Sequence, residues 1–257
     1  MIWATTFVAI GLVALATVLS LMRRSGIFGK LRDHKHVALV VAHPDDEAMF
    51  FWPTLSQLRA AGVTISVLCL STGNFDGLGD IRKREMENSC IQIGVTGEAL
   101  QILDDPELQD GWQKWPSNHV ADKVLVFLAT HSASAVLTFD ELGVSGHPNH
   151  ISASEGVQEA WRRTEGADLA FELFMLRSVP MYRKYLGPIS LLLQSERLSD
   201  AAAVSGNPIG CLKALSAHWS QLVWYRILFA LFSHYGYANS FEKYGATSAC
   251  SEMKKEK

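Results

Sequence analysis

The sequence predicts an α/β protein in which a mostly parallel β-sheet, with helices on both faces, follows one N-terminal transmembrane helix. Short β-branched runs alternate with longer helical patterns, and this spacing is typical of parallel strands joined by crossover helices. The strand runs are almost entirely apolar, as expected for buried strands. Residues 2–22 contain no charged side chain, and about 20 apolar residues in a helix span the roughly 30 Å core of a bilayer.

The elements of the sheet follow from these patterns in chain order. Glycines end the first two helical patterns, at Gly62 and Gly94. We predict strands over residues 36–42, 63–71, 99–103, 135–140 and 169–176. We predict helices over residues 46–61, 80–93 and 117–131, and a further helix that begins near residue 150.

The pattern is less regular beyond Pro180. Residues 189–193 form a short apolar run, and residues 219–232 form an aromatic-rich helical pattern. This helix either packs on the core of the same domain or lies in a membrane interface, with its aromatic side chains among the headgroups.

The apolar N-terminal segment is followed by basic residues rather than preceded by them. A cleaved signal peptide has a basic start and an apolar stretch of about 7–15 residues, so we interpret the longer segment as an anchor. By the positive-inside rule the basic side stays in the cytosol together with the body of the protein. The basic residues are Arg23, Arg24, Lys30, Arg32 and Lys35.

Charge and cysteine content exclude several classes of protein. The chain has 23 Lys and Arg against 26 Asp and Glu, a net charge of −3, so we expect no nucleic-acid partner. The cysteines lie far apart and form no CxxC pair, which excludes a disulfide scaffold and a zinc finger and fits a reducing compartment. They are Cys69, Cys90, Cys211 and Cys250.

Two clusters of metal-ligand residues follow two of the predicted strands. The motif AHPDDE covers residues 42–47, and the motif GHPNH covers residues 146–150. In doubly wound sheets, ligands bind outside the carboxyl ends of the strands. Either motif alone is more often a turn with a helix cap, but two of them at one edge of a sheet indicate a catalytic metal site.

The first cluster can supply two ligands and a base. His43 and Asp46 are three residues apart at a turn and can converge on one ion, which His150 would complete. Two imidazoles and one carboxylate leave coordination open for water, as in catalytic zinc sites. Asp45 is then placed to take a proton from that water, and His147 to hydrogen-bond or protonate an oxyanion.

The residues alone leave several alternatives open. Two histidines and a carboxylate also bind iron(II) in non-haem oxygenases, although a parallel sheet does not favour that class. We expect Glu47 to support the metal ligands or to cap the helix, and Asp140 either to orient His147 or to serve as a turn residue. Zinc, iron(II) and manganese all fit the ligand set.

With both motifs, the sequence resembles the LmbE-like de-N-acetylases. Within that superfamily it is similar to the N-acetylglucosaminyl-phosphatidylinositol de-N-acetylases of GPI-anchor biosynthesis. This resemblance is carried by residues 42–51, Gly73-Asn74 and residues 138–147, and it extends to SQLVW at residues 220–224. Asn149 stands where many relatives have Asp, between the two histidines, and we do not expect it to be a ligand.

The resemblance implies a Rossmann-like domain over residues 36–250 and a role for each residue of the two motifs. It implies the metal ligands His43, Asp46 and His150, with zinc as the preferred divalent ion. It implies Asp45 as the general base and His147 as the residue that stabilises the oxyanion. An arginine that helps to hold the substrate matches Arg82, in an RxxE segment that ends at Glu85.

The resemblance also implies a glycolipid substrate and a membrane location. We expect a single-pass protein of the endoplasmic reticulum membrane, with an anchor (1–22), a basic linker (23–35) and a catalytic domain that faces the cytosol. The charged tail (251–257) ends in KKEK, which resembles a dilysine retrieval signal, although a solvated tail has the same composition. Two alternatives remain, namely a soluble N-acetylglucosaminyl substrate and a non-catalytic membrane-tethered protein with a structural metal.

Overall fold

The structure is a computed structural model that describes residues 26–167, 169–193, 201–205 and 208–245. Its centre is an eight-stranded sheet of the order β1-β7-β8-β6-β5-β2-β3-β4. The strands are β1 (Gly26–Gly29), β2 (His36–Val41), β3 (Thr64–Cys69), β4 (Leu100–Ile102), β5 (Ala135–Phe139), β6 (Glu172–Leu176), β7 (Ala201–Val204) and β8 (Ala238–Lys243).

Helices cover both faces of this sheet. They are α1 (Asp46–Met49), α2 (Trp52–Ala60), α3 (Gly79–Ile91), α4 (Ser117–His131), the single turn α5 (Gly143–Gly146), α6 (Pro148–Thr164), α7 (Met181–Lys184), α8 (Pro208–Ala217) and α9 (Trp224–Phe232). The predicted strands and helices between residues 36 and 176 are therefore confirmed, with boundaries that differ by a few residues.

The sheet is mixed rather than mostly parallel. The strands β6, β5, β2, β3 and β4 are parallel, as predicted. In contrast, β8 pairs antiparallel with β6 and β7, and β1 pairs antiparallel with β7. The sequence analysis missed these three strands, since β7 is an alanine run with helical propensity and β8 carries polar residues that are depleted in strands.

Three other predictions differ in detail. The helix predicted over residues 46–61 is two helices, α1 and α2. Pro53 lies in the first turn of α2, where a proline is tolerated because the N–H groups of a first turn have no partner within the helix. The helix predicted over residues 219–232 is a 3₁₀ turn (Trp219–Gln221) followed by α9, with extended backbone at Val223. The apolar run 189–193 lies in a 3₁₀ helix (Gly187–Leu193).

The predicted basic linker (23–35) lies partly within the fold. Its residues 26–33 form β1 and the 3₁₀ helix Lys30–Asp33, whose Leu31 is fully buried in the core. The predicted anchor at residues 2–22 and the tail at 251–257 lie outside the described residues. No helix in the described ranges is long and apolar enough to cross a membrane.

The packing of β2 beside β5 positions the site. Leu39 of β2 pairs with Leu137 of β5 in parallel register, and both side chains are fully buried. The loops that carry the two motifs both leave the carboxyl ends of these neighbouring strands. They therefore meet at the same edge of the sheet, as the sequence predicts.

Candidate active site

The two loops bring three polar side chains to a common point. The His150 Nε2 atom lies 3.3 Å from His43 Nδ1 and 3.3 Å from Asp46 Oδ1. The His43 Nδ1 atom lies 3.9 Å from Asp46 Oδ2. In a tetrahedral zinc site with ligands about 2.0–2.2 Å from the ion, ligand atoms lie about 3.3–3.6 Å apart. The two distances from His150 Nε2 and the donor types fit a metal ion, whereas the distance from His43 to Asp46 is slightly longer than in such a site.

A second arrangement of ligands is present at the same point. His43, His147 and His150 also form a group that could hold a metal ion, with ligand atoms that all lie within 4.8 Å of one another. The described residues thus offer three imidazoles and one carboxylate around one position.

The outer nitrogens of the candidate ligands His43 and His150 are held by the protein. The His43 Nε2 atom lies 3.0 Å from Asp110 Oδ1 and 3.0 Å from Asn149 Oδ1. The His150 Nδ1 atom lies 3.0 Å from the Gly143 carbonyl oxygen and donates to it. Such partners fix the tautomer of a metal-bound histidine and orient its ring. In the neutral tautomer that these partners favour, the inner nitrogen of each ring carries the lone pair and faces the common point.

The Asp46 carboxylate is buried and held ionised for the same purpose. Its Oδ2 atom accepts hydrogen bonds from the backbone N–H groups of Ala42 (3.1 Å) and His43 (2.8 Å). Burial alone would raise the pKa of Asp46, but His150 and His43 outweigh this effect and lower the pKa far below its ordinary value. An ionised carboxylate is the form that binds a metal ion.

Asp45 sits at a strained turn with two arginines on one side. Its φ angle is 118°, a left-handed value that non-glycine residues rarely adopt. Its Oδ2 atom accepts from Arg226 Nη1 and lies 3.4 Å from Arg82 Nη2. Its Oδ1 atom has no protein partner among the described residues. That oxygen is the one available to accept a proton from water.

Arg82 joins the loops around Asp45. Its Nη2 atom donates to the Pro44 carbonyl (2.8 Å), and its Nη1 atom donates to the Gly73 carbonyl (2.8 Å). Gly73 has a φ of 67°, and a Cβ there would collide with the guanidinium, so the GN pair of the sequence reflects this close approach. Arg82 lines the cleft, but its side chain is buried and used mainly to hold the loops.

His147 is half-buried at the mouth of the site. Its Nδ1 atom accepts a hydrogen bond from the Asn149 N–H (3.3 Å), which places the ring proton on Nε2. Burial, followed by the charges of His43 and His150, lowers the pKa of His147 to about 4. His147 is therefore a neutral hydrogen-bond donor at pH 7. The exposed ring of Trp112 lies beside it, at 5.1 Å between centroids.

Two of the open assignments are settled by contacts. Glu47 lies 2.6 Å from His218 Nε2 and accepts from the Asp45 N–H at 3.1 Å, so it supports the turn that carries Asp45. Asp140 accepts from the backbone N–H and the hydroxyl of Ser178, at 2.6 and 2.7 Å. It is a turn anchor, and the hypothesis that it orients His147 is wrong.

The sequence analysis missed Arg226, Asp110 and His218. Arg226 comes from α9 and His218 from the residue before the 3₁₀ turn, far along the chain from the motif that they contact. No motif spacing links them to residues 43–47. Asp110 lies in an irregular segment between β4 and α4, where an acidic residue is ordinarily a turn residue.

A cleft of about 410 Å³ lies at the sheet edge. It is lined by Asp45, by His147 and by the candidate metal ligands His43, Asp46 and His150. Phe75 and Trp112, both largely exposed, stand on its rim. A polar cleft with aromatic side chains at its edge suits a polar ligand that carries ring faces.

Comparison with known proteins identifies the class. The chain matches the GlcNAc-PI de-N-acetylase (PIG-L) family over residues 38–161. It is 37% identical to the N-acetylglucosaminyl-phosphatidylinositol de-N-acetylase of Bos taurus, over 79% of this chain and 81% of that protein. It is 34% identical to a probable enzyme of the same name from Dictyostelium discoideum, over 80% of this chain and 92% of that protein.

Solved structures agree on the fold. N,N'-diacetylchitobiose deacetylase from Pyrococcus horikoshii superposes with a TM-score of 0.60 at 20% identity, over 83% of this chain and 85% of that one. The hydratase GalB from Pseudomonas putida has a TM-score of 0.56 at 13% identity, over 82% and 96%. Since a hydratase shares the fold, the fold alone does not decide the activity.

The fold, the site and the sequence relatives together define a de-N-acetylase, an enzyme that hydrolyses an amide. Within that class, the chain belongs to the GlcNAc-PI de-N-acetylase family.

Proposed function

We propose that this protein removes the acetyl group from N-acetylglucosaminyl-phosphatidylinositol, giving glucosaminyl-phosphatidylinositol and acetate, as the second step of GPI-anchor biosynthesis. The observation that carries the proposal is the convergence of His43, Asp46 and His150 beside the free Oδ1 oxygen of Asp45. The names of the relatives supply the substrate.

His43, Asp46 and His150 would hold the divalent ion. When bound, such an ion lowers the pKa of water towards about 7 and polarises a carbonyl oxygen. We propose zinc, since two imidazoles and one carboxylate form a set typical of catalytic zinc.

Four side chains carry out or support the proton transfers and the stabilisation of charge. Asp45 Oδ1 takes a proton from a water molecule while the oxygen of that water bonds to the acetyl carbonyl carbon. The Nε2–H of His147 donates to the oxyanion that forms. Asp45 then passes its proton to the sugar nitrogen as the carbon–nitrogen bond breaks, which releases the amine and acetate. Arg82 and Arg226 hold Asp45 in place during these steps.

A membrane location completes the proposal. The apolar segment at residues 2–22 would anchor the enzyme where its lipid substrate lies and raise their effective concentration. We place the protein in the endoplasmic reticulum membrane with the catalytic domain in the cytosol, on the side of Arg23 and Arg24. Protease treatment of intact microsomes would digest the domain, whereas protection would contradict this orientation.

Acetate release tests the proposed function. Membranes that contain the full chain are incubated with N-acetylglucosaminyl-phosphatidylinositol, and the acetate is measured. We expect release that a chelator abolishes and that added divalent metal restores. If a folded, metal-loaded protein releases acetate only from a soluble N-acetylglucosaminyl conjugate, that conjugate rather than the glycolipid is the substrate. Release from no such sugar would contradict the hydrolase, in favour of a non-catalytic metal-binding protein.

A further inference from the structure

A second cavity, of about 670 Å³, opens directly beside the catalytic cleft. The two share a wall made of Met49, Phe50, Ser145, Tyr225 and Arg226. A ligand that reaches the metal-ligand set in the cleft can therefore extend into this cavity. Its volume lies within the range of about 300–1,000 Å³ that is typical of ligand sites.

The outer wall of the cavity is apolar and unusually exposed. Trp224, Leu228 and Phe232 follow one another along one face of α9 at helical spacing and line the cavity. Their exposed fractions are 73%, 45% and 51%. Large apolar side chains that stay in water together mark a surface that receives an apolar partner.

Two cations line this cavity, Arg226, which pairs with Asp45, and Lys184. Lys184 is only 6% exposed and lines the cavity but not the cleft. Its Nζ atom donates to the Val144 carbonyl (3.1 Å) and lies 5.8 Å from the centre of the Tyr235 ring. Within the described ranges no carboxylate lies within ion-pair distance of it. Because burial without a counter-charge disfavours a cation, the pKa of Lys184 is lowered.

Lys184 and the apolar face of α9 lie side by side in this cavity. They would complement a ligand in which an anionic group is followed by an apolar chain. The substrate of the proposed function has this order: the acetamido sugar and the inositol come first, then one phosphodiester, then the glycerolipid. The order along the protein is the same, from the metal-ligand set through the shared wall to Lys184 and α9.

Building on the proposed function, we infer that this cavity is the phosphoglycerolipid subsite, in which Lys184 pairs with the phosphodiester and the α9 face covers the start of the acyl chains. The subsite distinguishes a glycolipid from a free N-acetyl sugar by contacts that lie outside the reacting centre. In this subsite only the headgroup, the phosphate and the first part of the acyl chains contact the protein. The rest of the acyl chains can stay in the membrane.

Three substrates and matched variants separate the two contacts. The first substrate is N-acetylglucosaminyl-inositol, and the second is N-acetylglucosaminyl-inositol phosphate, which lacks the glycerolipid. The third is a water-soluble dihexanoyl form of the whole glycolipid. Each is tested with the full metal-loaded chain. The variants are Lys184→Met and Leu228→Glu. Their controls are Lys184→Arg, Lys114→Met at an exposed surface ion pair, and Val126→Glu at an exposed position on α4.

We expect Lys184→Met to lower kcat/KM at least about tenfold for the two substrates with phosphate, since charge-assisted hydrogen bonds have this strength, and to leave N-acetylglucosaminyl-inositol unchanged. Lys184→Arg should restore most of the loss. Leu228→Glu should lower kcat/KM for the dihexanoyl substrate alone. The control variants should match the parent protein on all three substrates.

The outcomes distinguish the subsite from the proposed function. Equal effects of the variants on all three substrates, or none on any of them, would overturn the subsite while acetate release stands. If no substrate releases acetate, the proposed function fails. Binding of dihexanoyl-phosphatidylinositol, measured by isothermal titration calorimetry, then decides about the subsite: binding that Lys184→Met weakens supports it, and its absence from the parent protein overturns it.

Discussion

The two carboxylate oxygens of Asp45 have different roles: one is held by arginines, and the other is available to accept a proton. Oδ2 is held by Arg82 and Arg226, and Oδ1 has no partner among the described residues. The backbone strain at Asp45 is maintained by the Glu47 carboxylate, which accepts the Asp45 N–H. A base that is fixed in this way needs no rearrangement before it accepts a proton.

Replacing Asp45 with Asn is expected to lower kcat by a factor of at least about 100, because the amide cannot accept the proton of water. The metal content should stay unchanged, since Asp45 lies beside the ligand set rather than in it. Acetate release and elemental analysis on the same preparation check this. Unchanged turnover with bound metal would refute the assignment of the base.

The Asp110 carboxylate is expected to tune metal affinity through His43. Asp110→Ala removes the charged one of the two partners of His43 Nε2 and leaves Asn149 Oδ1, and it should weaken metal binding by about tenfold or more. Competition with a chromogenic chelator measures the change. Asp105→Ala is the matched control, since Asp105 pairs with Lys123 and His119 away from the ligands. An equal loss in both variants would argue against a specific role for Asp110.

The buried imidazole of His234 should make the fold sensitive to acid. Burial, followed by Arg183, lowers its pKa to about 3, below the ordinary value of 6.5. Between these values the unfolded chain binds the extra proton. The contribution to stability is therefore complete above about pH 6.5 and is lost as the pH falls towards 3, by about 2 kcal/mol between pH 7 and pH 5.

This loss can be isolated by substitution. His234→Asn can keep the contact with the Ser190 hydroxyl and removes the titrating ring. We expect the pH 7 to pH 5 loss in the free energy of unfolding, measured in urea with the detergent-solubilised chain, to be about 2 kcal/mol smaller in the variant. Equal pH dependence in both proteins would show that His234 does not titrate on unfolding.

At the scale of elements, α4 and α6 pack closely because of one glycine. A Cβ at Gly156 of α6 would overlap the side chain of Val120 on α4. Gly156→Ala should therefore destabilise the fold by about 1–3 kcal/mol, despite the better helical propensity of alanine. Adding Val120→Ala should recover part of this loss. A stabilising effect of Gly156→Ala alone in thermal unfolding would contradict the close packing.

The elements also show where sequence analysis succeeds and fails. The strands β2, β3 and β5 are short, mostly apolar runs that contain β-branched residues, and this length and composition predict strands. β7 is Ala201-Ala202-Ala203-Val204, which has no strand preference of its own and pairs because β1 and β8 flank it. The antiparallel half of the sheet thus depends on tertiary contacts that local patterns do not contain.

Across the whole molecule, the site is assembled from three segments that lie far apart in the chain. The two motifs supply the proposed ligands and the base, and local spacing was enough to predict their convergence. The C-terminal part supplies Arg226 and His218, and the Glu85 carboxylate accepts hydrogen bonds from the Ser220 N–H and hydroxyl at 2.6 and 2.7 Å. Such long-range partners have no signature in a single sequence.

The proposed reaction depends on one metal ion held by His43, Asp46 and His150. We would titrate metal-free full-length protein with zinc and measure acetate release from N-acetylglucosaminyl-phosphatidylinositol against bound metal. We expect activity that rises to a plateau at one ion per chain, and neither binding nor activity at that site in His150→Ala. Full acetate release by metal-free protein, or by His150→Ala without bound metal, would contradict it.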